Sequence, residues 1–66
     1  MINPTEKDIG RRVFLKQNWM KSNEYEYGFI RGFNSFFVFV QYGLDTNNKS
    51  TKREYLYWDF EKIKNK

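Results

Sequence analysis

The sequence predicts an all-β domain of five short strands curled into a small barrel, preceded by one helical turn. Three observations carry this. Aromatic residues make up 21% of the chain, and with β-branched residues they suit a pleated surface packed against neighbours. The stretch from Tyr27 to Gly43 reads as two strands folded back on each other near Asn34-Ser35. Shorter alternating segments flank it, and a tight turn around Arg53-Glu54-Tyr55 precedes a last short strand. The expected layout is a single domain over 1–66, with a turn over 1–8, a barrel over 9–58 and a basic tail over 59–66.

Asn3-Pro4-Thr5-Glu6 is a helix-start signal: Asn3 can cap, Pro4 suits the first helical position, and Glu6 can reach back as the capping-box acid. Arg11 to Gln17 then alternates as a strand should, with Val13 and Leu15 inward and Arg12, Phe14 and Lys16 outward. Ile9 is expected to join the inward set. Asn18 to Glu24 is a polar connection in which Trp19 folds down to plug the barrel end, or else stands at the rim of a binding site. A second polar turn spans 44–49. A strand near 49–52 follows, then the tight turn, then a closing strand over Leu56–Trp58 that pairs with the first and points Leu56 and Trp58 inward. The tail from Asp59 carries Phe60 and Ile63, expected to tuck against the body.

The faces of the central hairpin follow from parity. A two-residue turn at Asn34-Ser35 would set Arg31 against Val38, a charge against a core residue. A three-residue loop, Asn34-Ser35-Phe36, instead pairs Gly32 with Val38, Ile30 with Val40 and Gly28 with Tyr42. The core face is then Ile30, Val38, Val40 and Tyr42. The other face carries Phe29, Phe33, Phe37 and Phe39 around Arg31. Strands of a strongly bent barrel serve two sheets, which would partly bury both faces. The alternative is that these phenylalanines form a contact surface for bases, a protein or a second copy.

With 66 residues, the chain buries only about 60% of the surface its unfolded form exposes. It has no cysteine and no histidine to supply disulfides or a metal staple. The same absence removes the usual zinc sites and thiol or imidazole catalysis, so no metal or cofactor is expected. The acids are scattered: Glu24 and Glu26, like Asp59 and Glu61, read as solubilising charges. No glycine-rich phosphate loop is present, because Gly28 and Gly32 lie in a strand where close packing explains them. The expectation is a protein without catalytic activity or a small-molecule substrate. Twelve cations against eight acids favour acidic partners, although Lys62, Lys64 and Lys66 sit in the tail. No apolar run is long enough to span a membrane, so a soluble, cytoplasmic protein is expected.

Taken in order, Ile9-Gly10-Arg11-Arg12-Val13, Tyr27-Gly28-Phe29-Ile30, Val38-Phe39-Val40-Gln41-Tyr42-Gly43 and Glu54-Tyr55-Leu56-Tyr57-Trp58 describe an SH3-like five-stranded small barrel. The pattern resembles the Tudor and KOW type of that fold. It is most similar to short hypothetical proteins of tailed bacteriophages and prophages, which would place the chain in a bacterial host's cytoplasm. The resemblance covers roughly residues 9–58 and speaks to fold more than to function.

Two binding functions follow. Arg12, Lys16 and Arg31 interleave with Phe14, Phe29, Phe37 and Phe39, while Lys49, Lys52 and Arg53 extend the basic surface. Cations that track phosphates beside rings that stack bases are the means by which small barrels bind nucleic acid. The alternative is a protein-interaction module. Tudor-like barrels hold peptides in aromatic cages, and the resemblance suggests Trp19, Tyr25, Tyr27, Tyr55 and Tyr57 for one, with Glu24 or Glu26 nearby. Binding of a host protein, or a homodimer through the phenylalanine face, belongs to the same class.

Overall fold

A computed structural model of the chain describes residues 1–21, 24–43 and 47–59. It contains β1 (Arg12–Leu15), β2 (Glu26–Phe33), β3 (Phe37–Tyr42), β4 (Lys49–Lys52) and β5 (Leu56–Tyr57). Two short 3-10 turns complete it, η1 (Glu6–Asp8) and η2 (Arg53–Tyr55). All five strands belong to one antiparallel sheet in the order β4-β3-β2-β1-β5. The all-β expectation is met.

The sheet cannot be flat. Its edge strands β4 and β5 are joined by the three residues of η2. A 3-10 turn of that length rises only about 6 Å, whereas four strand spacings in a flat sheet cover roughly 19 Å. The sheet therefore curls into a half-barrel. β5 pairs with β1 as expected, Phe14 opposite Tyr57 and Leu15 opposite Leu56. It does not go on to pair with β4, so the curl stays a half-barrel.

The concave side holds the core. Val13, Leu15, Ile30, Val38, Val40, Tyr42 and Leu56 are buried there, with Ile2 closing the cluster and Trp58 packed against it. Thr51 is buried opposite Val38, and its Oγ1 lies 2.7 Å from the Tyr42 hydroxyl, giving that phenol a hydrogen-bond partner. Burial pushes the Tyr42 phenol up from its ordinary value.

Ile2 occupies the core place expected for Ile9, which is 45% exposed. The chain reverses just after Ile9 at Gly10, whose φ of 91° lies in the left-handed region. The cap also differs from expectation. Thr5 rather than Asn3 caps η1, and Asp8 rather than Glu6 supplies the acid, accepting from the Thr5 backbone N–H at 2.8 Å. The capping-box spacing is simply met two residues later. That backbone bond, reinforced by Arg11 at 3.2 Å, holds the Asp8 carboxyl below its ordinary range.

The central hairpin keeps two of its three expected pairs. Gly28 faces Tyr42 and Ile30 faces Val40, but Gly32 then faces Phe39 and Phe33 faces Val38. Arg31 is left as an extra residue, a β-bulge. The predicted pairing of Gly32 with Val38 is thus corrected, and so is the three-residue loop. Asn34 N–H donates to the Phe37 carbonyl at 2.9 Å, leaving Ser35-Phe36 as the loop. Asn34 Oδ1 accepts from the amides of Phe36 and Phe37 at 2.8 Å each, so the turn needs no left-handed residue. The bulge solves the Arg31 problem inside the strand rather than in the loop. It also reverses the phase beyond it: Phe33 joins the core side and Gly32 moves to the outer side.

The expected helical turn with Phe60 and Ile63 lies outside the described residues, as does the part of the second polar turn at 44–46.

Gly28 marks the tightest contact between β2 and β3. A Cβ there would lie 2.5 Å from the Gln41 carbonyl oxygen and 2.6 Å from Val40 Cγ1. A Cβ on Gly32 would meet only Phe39 Cδ2, at an ordinary 3.5 Å. Gly28→Ala is therefore expected to cost about 1–3 kcal/mol or more. Gly32→Ala is expected to be neutral or stabilising by up to about 1 kcal/mol. Urea unfolding of the two variants measures the difference; equal losses would overturn this account of the curl.

Candidate functional site

The convex face of the sheet carries the concentrated chemistry. Its strand positions are Arg12 and Phe14 on β1, Tyr27, Phe29 and bulged Arg31 on β2, and Phe37, Phe39 and Gln41 on β3. Lys52 on β4 faces Phe37, and Tyr57 on β5 faces Phe14. Across the strands, Tyr57, Phe14 and Tyr27 form one row. Arg12, Phe29 and Gln41 form the next, and Phe39 and then Phe37 continue diagonally toward β4. Among the described residues, no acid occupies a strand position on this face: Glu26 lies opposite Leu15, on the concave side.

Among the described residues, no second layer covers the rings. Tyr27 is 49% exposed and Phe29 41%, while Phe14, Phe37 and Phe39 are half-buried. Phe14 meets Tyr25 edge-on at 5.7 Å between centroids. It lies 6.5 Å from Tyr27, and Tyr27 lies 6.5 Å from Phe29 in a T-shaped pair. Such offset geometries suit the ring quadrupoles. The expectation that bent strands would serve two sheets is corrected among the described residues: one sheet forms, and its outer face stays partly open.

The predicted cations separate into two groups. The Arg12 guanidinium sits 5.9 Å from the Phe14 ring and 6.0 Å from Tyr27, within cation–π reach of both. Arg31 Nε donates to Gln41 Oε1 at 2.7 Å, which sets its guanidinium across the face. Lys52 is exposed. Lys16 and Arg53 are employed elsewhere. Lys16 Nζ donates to the carbonyls of Lys21 and, at 2.7 Å, Glu24, tying down the loop after β1. Arg53 is half-buried, and its Nη2 donates to the Asn34 carbonyl, fastening η2 to the hairpin tip. Its Nε is buried without a hydrogen-bond partner. Both side chains are engaged with loop carbonyls, unlike Arg12 and Arg31, which lie across the ring-bearing face. Arg11, outside the predicted set, stacks on Trp58 at 4.0 Å and covers the end of the core.

The five residues suggested for an aromatic cage do not converge. Trp19 and Tyr55 line one groove, together with Glu26, Tyr42, Lys49 and Lys52. Tyr27 and Tyr57 are on the convex face, and Tyr25 packs against Phe14 there. Trp19 does not plug the barrel: it is 73% exposed, while its neighbour Met20 is buried. The turn from Gln17 to Met20, closed by a 3.1 Å backbone bond, rotates the second side chain inward instead of the first. Tyr27 and Tyr57 reach this face through their registers with β1, both opposite Phe14.

Comparison with protein families, curated proteins and solved structures finds no match for this chain.

Lys16→Ala and Arg53→Ala are expected to lower stability by about 1 kcal/mol each, the worth of hydrogen bonds from a charged donor at a partly exposed site. Trp19→Ala should stay within about 0.5 kcal/mol. Urea midpoints test this. A neutral Arg53→Ala would show that its bond to the Asn34 carbonyl does not hold η2 in place.

Proposed function

We propose that the chain is a small, non-enzymatic binding protein of the SH3-like barrel type, and that its convex face binds nucleic acid. The supporting observation is the make-up of that face: exposed rings interleaved with Arg12, Arg31 and Lys52, with no acid at its described strand positions. Arginines at this spacing meet phosphates, and the rings offer π-faces to bases. The formal net charge of +4 gives the encounter a favourable field. By the resemblance stated above, the setting is a phage protein acting in a host cytoplasm.

A protein-interaction module is the second reading, and one observation favours it. Trp19 stands exposed at a groove shared with Tyr55 and Glu26, and exposed tryptophan is a frequent anchor at protein interfaces. The two readings separate by salt. Contacts to phosphates weaken steeply as salt rises, whereas an aromatic anchor in a groove does not.

Titration of labelled single-stranded and duplex oligonucleotides across a salt series tests the proposal. Three phosphate contacts, each worth about 0.7 on a single strand, predict a slope of log Kd against log salt of about 2. Arg12→Ala and Arg31→Ala should each lower that slope by about 0.7 with the fold intact. No binding at low salt would refute the proposal and leave the Trp19 groove as the site to pursue.

A further inference from the structure

We infer that the ligand of the convex face is an extended single strand rather than a duplex; this rests on the nucleic-acid reading above. Ring spacing carries the argument. Successive centroids along Phe14, Tyr27 and Phe29 are 6.5 Å apart, nearly twice the rise of about 3.4 Å per nucleotide along a duplex strand. Bases resting on neighbouring rings therefore cannot also stack on each other as they do in a duplex. Orientation gives the same result. The rings are inclined at 52° and 85° to one another, so bases stacked on them cannot stay parallel. A duplex presents its base edges and phosphates, and these rings would have no π-face to meet.

The cation is placed for a strand drawn out in this way. Arg12 lies about equally far from Phe14 and Tyr27, at 5.9 and 6.0 Å, and directly opposite Phe29 in register. A phosphodiester joining bases on neighbouring rings passes within reach of it. Bulged Arg31 follows Phe29 on the same strand and offers the next phosphate contact. The platform takes one base per ring and reads no base edge, so binding is sequence-tolerant.

The test is fluorescence anisotropy with labelled oligo-dT and oligo-rU of about a dozen nucleotides, and a duplex of equal length, at about 50 mM salt where phosphate contacts are strong. Whichever single strand binds tighter is expected to exceed the duplex by on the order of tenfold, and the two sugar arms identify DNA or RNA as the ligand. Tyr27→Leu and Phe29→Leu keep apolar bulk while removing the ring faces. Each is expected to weaken single-strand binding on the order of tenfold without changing duplex binding or thermal unfolding. Phe29→Tyr keeps a stacking face and serves as the control should a leucine variant unfold. Its affinity should match the parent, and a tenfold loss there would count against stacking. Duplex binding as tight as either single strand, or leucine variants with unchanged affinity, would overturn this inference while the nucleic-acid reading stood. Absence of binding to all three would overturn both.

Discussion

The three residues of η2 constrain everything else in the molecule. They connect strands that lie at opposite edges of the sheet, and a tether that short forces the sheet to bend back on itself. Bending separates the two faces into different chemical worlds. The concave side narrows, so it fills with Val, Ile and Leu, plus one tyrosine whose hydroxyl is taken up by Thr51. Where β2 presses closest on β3, not even a methyl group fits, and Gly28 stands there. The convex side widens, and the described chain contains no further layer to cover it. Its aromatic residues shield one another edge to face and remain partly in water.

The bulge at Arg31 is the second determinant. An uninterrupted strand would carry one parity from Glu26 to Phe33, placing Phe33 outside and Gly32 inside. One extra residue reverses that over the final residues. The core gains a phenylalanine near the hairpin tip, and the charged side chain stays outside without displacing Val38. Arg31 is thereby held at a sheet position where backbone pairing does not fix it, and Gln41 orients it instead. Bulges commonly re-aim a side chain in this manner.

Much of this was legible in the sequence, and the misses share a cause. Alternation identified the strands, the inward set Val13, Leu15, Ile30, Val38, Val40 and Leu56, and the outward company of Arg12 with Phe14 and Phe29. Period-two patterning reports parity but not a change of phase inside a strand, so the bulge was assigned to the loop. Local signals do not say which apolar residue a turn directs inward. Ile2 and Met20 therefore took the places expected for Ile9 and Trp19, because Gly10 and the Gln17–Met20 turn set those directions. The candidate site was legible to the same depth. Strand parity held for Arg12 and Phe29, but Lys16 and Arg53 have long stems that reach carbonyls brought near only by folding.

Exposed rings alone would be weak grounds for a binding face on so small a domain. A single curled layer must leave one side uncovered, and half-buried phenylalanines there contribute to stability by covering the sheet. What distinguishes this face is the company the rings keep. A surface evolved only for solubility would intersperse both signs of charge, yet the acids among the described residues lie in loops, in the turns or at the concave end of β2. Arginine is also a selective choice beside aromatic rings, since its flat guanidinium can lie against a ring and still present donors to a phosphate. Arg12, within 6.0 Å of two rings, is placed to do both. The fold explains why the rings are exposed; the charge pattern among them is what supports the proposal of a ligand.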